Sequence, residues 1–306
     1  MTVFIEAVGC VGHFGTGLAD LQKALKKTST FNEQVSYEPL YDYVSKRNLR
    51  RVDNYSKMAL LAGHLALEEA GISKEDLSSY GLIVATGYGA GKSTYRFLDS
   101  VIDGGDGLAS PMHFSNSVDN SAVAYLSINL GVTGPCLTVS QTQHPVSTSL
   151  AMAYQWLQEG RVDKLLFGVV DEHSEVRRFS WKKRYGESCI ALGEGAAFFV
   201  LSKEASEHSL ALDFEGFTAF DLDDMIEQNK NISIVSAGDK PFSEEDQQKI
   251  KESGLRQYTS IYGITPTAMG FDLALAVLLL RQEKGVVSCC DFDFTGRGIQ
   301  FYLSTV

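Results

Sequence analysis

Apolar residues are spaced along the chain in two alternating periods. Short continuous apolar runs at 82–85, 137–139, 165–170 and 196–201 have the length of buried strands, and the last is rich in β-branched and aromatic residues. Residues 1–6 read as a first strand and 232–235 as a late one. Between the runs, 56–70 and 147–158 carry apolar residues at helical spacing, and each closes on a glycine, Gly71 and Gly160. Strands alternating with helices predict an α/β protein whose central sheets are covered on both faces. The stretch between 205 and 232 is polar, and 221–230 is its one helix-like segment.

Composition narrows the class. At 306 residues, 44% hydrophobic and 21% charged, the chain can bury a large core as one large or two medium domains. It has no apolar run of eighteen residues and no signal-like start, which predicts a cytoplasmic protein with no membrane association. A net charge of −11 argues against nucleic acid, whose phosphates need a basic surface. The local exception is Arg177-Arg178 with Lys182-Lys183-Arg184, which reads as a solvated loop or as a docking patch for an acidic partner.

The five cysteines show no metal-ligand spacing, so neither a metal nor another cofactor is expected, and their odd number does not suggest a disulfide framework. Cys10, Cys136, Cys189, Cys289 and Cys290 read as core thiols. Gly91-Lys92-Ser93 ends like a phosphate-binding loop, but Thr86 stands where that motif needs its first glycine.

Several blocks in fixed order carry a resemblance. Arg50-Arg51-Val52-Asp53 leads into Ala62-Gly63-His64, Thr86-Gly87-Tyr88-Gly89 follows a strand, and Ser110-Pro111 precedes Gly134-Pro135. Asp171-Glu172 and Leu192-Gly193-Glu194-Gly195-Ala196 complete the series. Together they resemble the β-ketoacyl synthase family of the thiolase superfamily over nearly the whole chain. The resemblance implies a thiolase fold, two related α/β halves stacked as α-β-α-β-α, with residues 1–205 as the first half and 206–306 as a shortened second.

Catalytic positions follow from that frame. Gln143 stands where the family carries its nucleophilic cysteine, and a carboxamide cannot attack a thioester. Gly238 and Ile264 stand where it carries two histidines, which donate hydrogen bonds to the enolate of decarboxylating malonyl thioester, and Thr259 replaces its lysine. A residual oxyanion site would use the backbone N–H groups of Gln143 and Phe294, although Asp293, in place of a glycine, brings strain if the turn needs positive φ. No independent catalysis is expected.

A ketosynthase sister with glutamine at this position resembles the chain length factor of type II polyketide synthases. That likeness implies a heterodimer with an active ketosynthase, an acyl carrier protein reached through the complex, and a polyketide, polyene or aryl polyene product. The family's dimer face maps to Leu137 and Val139 and to Val118, Ala122, Tyr125 and Leu126, unless that helical stripe packs into its own core. Tunnel-gating positions map to Tyr88, Gly91, Thr94, Leu98 and Tyr125, with 91, 94 and 98 on one helical face. Two other readings stay open, a decarboxylase that primes synthesis from malonyl carrier protein and a purely structural pseudoenzyme.

Overall fold

The structure, a computed structural model, describes residues 2–26, 34–186, 192–214, 219–228 and 231–306. The chain opens with β1 (Val3–Gly12), a short β2 (Gly15–Thr16) and α1 (Gly17–Leu25). Helix α2 (Asn54–Glu69) starts where the Asp53 carboxylate accepts from the Ser56 N–H at 2.7 Å, and it ends where Gly71 turns away at φ +64. Next come β3 (Gly81–Thr86), α3 (Gly91–Gly104), α4 (Pro111–Ser115), α5 (Ser121–Leu130) and β4 (Cys136–Ser140). Then α6 (Pro145–Gln158), β5 (Lys164–Asp171), α7 (Glu175–Tyr185) and β6 (Gly195–Ser202) follow.

The remainder contains β7 (Leu210–Phe214), α8 (Leu222–Gln228), β8 (Ile232–Ser236) and α9 (Glu244–Ser253). It closes with α10 (Thr259–Tyr262), α11 (Ala268–Gln282), β9 (Val286–Phe292) and β10 (Gly298–Thr305). The strands expected from apolar runs are all present. The helix expected at 221–230 is α8 as far as Gln228; residues 229 and 230 lie outside the described residues.

Strand order is β4-β3-β5-β6-β1-β7-β10-β9-β8, with β2 pairing only β1. The two ends of this path repeat one pattern. In the first, β3 and β5 are parallel while β6 and β1 join antiparallel; in the second, β8 and β9 are parallel while β10 and β7 join antiparallel. The first end carries an extra parallel strand, β4. The second has only one parallel bridge in that place, between Ile234 and Arg256.

Three apolar clusters stack through the molecule. One packs α2 and α5 on the outer face of the β3–β6 strands, a second fills the middle with α6 and α11, and a third sets α8 and α9 on Val235, Cys290 and Phe292. Helix α11 is buried nearly all round because both ends of the sheet pack against it, which explains its continuous apolar sequence. This mixed sheet with its helical layers is the expected thiolase-like α/β architecture.

Three expectations are corrected. β4 is only half-buried, because it is the edge strand with β3 as its single neighbour. Cys136 is therefore exposed at the edge, whereas Cys10, Cys289 and Cys290 are buried thiols; Cys189 lies outside the described residues. The basic segment expected as a loop is α7, whose start is capped by Ser174 Oγ on the Arg177 N–H at 3.2 Å and whose Trp181 is buried. Glu175 at its amino end and Lys182, Lys183 and Arg184 at its carboxyl end all favour the helix dipole.

Candidate functional site

The junction between β4 and α6 is the centre of the site. His144 takes the left-handed backbone there, φ 49 and ψ 43, and is the one non-glycine with positive φ among the described residues. Gln141 holds the turn in place. Its carboxamide donates to the carbonyls of Gln143 and His144 at 2.6 and 3.2 Å and to Thr148 Oγ at 2.8 Å, in the first turn of α6. Pro145 then opens the helix at the position where a missing N–H costs least.

Across the junction lies the end of β9. His144 Nδ1 meets Asp291 Oδ2 at 3.2 Å, and its Nε2 stands 3.8 Å from Asp293 Oδ2. Burial alone would lower this imidazole's pKa, but the Asp291 hydrogen bond and charge, with Asp293 adding, carry it above the ordinary 6.5. Asp291 is raised by burial, against the pull of His144. Gly238, at φ +53, leaves room beside this pair, since a Cβ there would sit 3.5 Å from Asp291 Oδ1.

Gln143 reaches the same segment. Its side-chain Oε1 accepts a long hydrogen bond, 3.4 Å, from the Phe294 N–H. Gln143 and Phe294 are therefore neighbours, but the contact joins the glutamine side chain to the Phe294 N–H and does not pair the two backbone donors of the expected oxyanion site. Asp293 carries no positive φ, so the strain expected of it is absent; Gly296 supplies the left-handed residue of the turn at φ 85. The Asp293 carboxylate instead closes the turn by accepting from the N–H groups of Thr295 at 2.8 Å and Arg297 at 3.0 Å.

Other expected positions are placed differently. Ile264 is buried with Leu192 and Trp181, and its carbonyl accepts from the Gly193 N–H at 2.7 Å. Thr259 is buried at the start of α10. The residue after Ile264 is tied to β5: Thr265 Oγ donates to Asp171 Oδ2 at 2.9 Å. The other oxygen of Asp171 accepts from Thr86 Oγ, Gly87 N–H and Tyr88 N–H at 2.8, 2.9 and 2.8 Å. This buried carboxylate thus pins the glycine turn after β3, and Lys92 beyond it pairs with Glu194 at 2.9 Å.

The gating positions divide. Tyr88 lies half-buried under the Arg177 guanidinium. On α3, Gly91 faces open space, Thr94 Oγ donates to the Ala90 and Ser117 carbonyls at 3.1 and 3.0 Å, and Leu98 is 44% exposed. Tyr125 is tied down, its hydroxyl donating to Asn116 Oδ1 at 2.9 Å.

The interface positions divide as well. Leu137 and Val139 are half-open on β4, and Val118 is exposed. Ala122 and Leu126 are fully buried in the chain's own core, against α2, which corrects their placement on a surface stripe. Apolar side chains that face outward include Tyr95, Leu98 and Ile102 on α3, Met112 and Phe114 on α4 and Ile128 on α5.

Sequence reasoning missed His144. The signal was a histidine directly before the proline that opens a helix, but the family frame assigns catalysis to the position before it. It also missed the buried group of His173 and Glu172 around Lys92 and Glu194, because no spacing links residues that follow β5, sit on α3 and precede β6.

The fold and this junction define a ketosynthase-like protein. The chain belongs to the beta-ketoacyl synthase family, whose N-terminal domain matches residues 16–186, more than half of its length. It is 28% identical over 206 residues to nodulation protein E of Rhizobium sp. (strain N33), covering 60% of this chain and 49% of that protein. Against the chloroplastic 3-oxoacyl-[acyl-carrier-protein] synthase I of Arabidopsis thaliana it is 26% identical over 162 residues, 51% of this chain and 34% of that one. The chain therefore spans about a third to a half of the length of these curated relatives.

Solved structures extend the likeness in fold. A type II polyketide synthase acyl-carrier protein in complex with its ketosynthase bound to the hexaketide superposes with TM-score 0.79 at 15% identity, over 100% of this chain and 99% of the other. The ishigamide ketosynthase/chain length factor gives 0.76 at 14% identity, with 100% of both chains covered.

Proposed function

We propose that this chain is a chain length factor: a ketosynthase-like subunit that does not condense, pairs with an active ketosynthase and shapes its acyl tunnel. The observation that carries this reading is the state of the β4–α6 junction. Gln143 stands at the family's cysteine position with its side chain folded onto the Phe294 N–H, and Gly238 and Ile264 offer no donors to a developing enolate. The fold likeness to a ketosynthase/chain length factor supports the reading.

The outer surface supports pairing. β4 presents an open edge, and exposed apolar side chains stand on α3 and α4, the kind of surface that obligate partners cover. A two-fold arrangement would lay β4 against the corresponding strand of a partner of the same fold. Leu98, exposed on α3, would then face the partner's tunnel. An acidic acyl carrier protein would reach the complex through the ketosynthase or the basic face of α7, where Arg177, Arg184 and Lys240 line a cavity of about 380 Å³ beside Phe294.

Coexpression with a ketosynthase that keeps its cysteine and both histidines tests the reading. A one-to-one complex that condenses malonyl units, with no condensation by this chain alone, is the expected result. Condensation by the isolated chain, or no complex at micromolar concentration, overturns it.

A further inference from the structure

The vacated nucleophile position is followed by a group with chemistry of its own. His144 Nδ1 is engaged by Asp291, a carboxylate 1% exposed, which fixes the ring and leaves Nε2 directed away from that partner. Nε2 lies beyond hydrogen-bond distance of Asp293 at 3.8 Å, and the side chain keeps 14% of its surface open. A histidine oriented through one nitrogen by a buried aspartate, with the other nitrogen available, is the arrangement of a general base. The carboxyamide clamp of Gln141 and the left-handed backbone hold this imidazole directly at the amino end of the fourteen-residue α6, whose first N–H groups favour negative charge.

We propose that His144, oriented by Asp291, is the general base for attack of water on an acyl thioester, so that the site hydrolyses acyl chains it cannot extend. The inference rests on the proposed docking of an acyl carrier protein at the face of α7 beside Phe294, which would bring an acyl thioester to this site. Water adds its oxygen to the thioester carbon while His144 Nε2 takes the proton. The tetrahedral oxyanion faces the amino end of α6 and collapses with cleavage of the C–S bond, and the departing thiolate takes the proton back from the imidazolium. The products are a free carboxylic acid and the carrier thiol; no oxidant, metal or further reactant enters. The carboxylates facing the ring are Asp291 on β9 and Asp293 beyond it, with Asp239 after β8 acting on Asp291.

The test uses the full chain, alone and with its ketosynthase, and hexanoyl-N-acetylcysteamine thioester as probe. Thiol release is followed by a chromogenic disulfide and hexanoic acid by mass spectrometry. The wild-type chain is expected to release both in equal amounts, and His144→Asn, a residue that tolerates left-handed backbone, to lose about 100-fold or more of that rate. Absence of acid from the wild type, or a folded His144→Asn variant that hydrolyses at the wild-type rate, overturns the proposal.

Should His144→Asn fail to fold, Asp293→Asn decides. Removing that charge is expected to move the rising limb of the pH–rate profile to lower pH with hydrolysis retained, and an unmoved limb overturns the assignment. Complex formation with the ketosynthase is measured separately, so failure of hydrolysis leaves the pairing result intact and failure of pairing leaves the hydrolysis result intact.

Discussion

Replacing Thr138 by proline separates folding of the chain from pairing of its edge. In the parallel ladder with β3, the Pro135 carbonyl accepts from the Leu82 N–H at 2.9 Å and the Gln141 N–H donates to the Thr86 carbonyl at 3.0 Å. Residues 135, 137, 139 and 141 therefore bond inward, and the N–H and carbonyl groups of Cys136, Thr138 and Ser140 point to the open side. Proline at 138 removes an outward donor that the isolated chain does not use, so its melting temperature is expected to stay within a few degrees of wild type. In a strand-paired complex the same change leaves one partner carbonyl unsatisfied, at about 1 to 3 kcal/mol, or a 5- to 150-fold weaker Kd. Val139→Pro is the converse: it deletes an inward bond and should lower the melting temperature of the chain itself. Calorimetry of each chain and titration against the ketosynthase read both quantities. Unchanged affinity for Thr138→Pro would refute pairing through β4.

Product length should respond to α3: Leu98→Ala lengthens the product by one or more two-carbon units and Thr94→Phe shortens it, read by mass spectrometry of intact complexes. Leu126→Ala is expected to cost about 2 to 5 kcal/mol in chemical denaturation, whereas Val118→Ala stays within about 0.5, because only the first side chain is buried in the core. Gln143→Cys should not restore condensation in a radiolabelled malonyl assay, since Gly238 and Ile264 still lack donors. Glu172 is raised by burial from 4.5 to about 7, so its neutral form favours folding below pH 4.5 and that contribution is lost as pH rises through about 7. Glu172→Gln should flatten the urea-midpoint profile across that window.

Periodicity made the strands legible, because a strand covered on both faces must be apolar throughout, as β3, β5 and β6 are. It misjudged β4, whose Leu-Thr-Val centre looks the same whether a neighbouring strand or solvent lies beyond it. The α5 stripe failed for a related reason: helical spacing shows that Ala122 and Leu126 share a face, and only tertiary packing shows that the face meets α2. Gln143 could be placed from local order along the chain. His144 could not, since its importance depends on Asp291, 147 residues away, and on a backbone angle that no composition reports.

The two ends of the sheet differ in a way that limits assembly. At β8 two of the outward groups are taken, with the Val235 N–H donating to the Arg256 carbonyl and the Arg256 N–H to the Ser233 carbonyl, both at 2.9 Å. Among the described residues β4 has no such cover. A sheet with one adhesive rim and one sealed rim can join a single companion and then has nothing left to offer. Were the chain to pair through β4 as proposed, association by strand addition would be expected to end at two chains and not to grow into a filament.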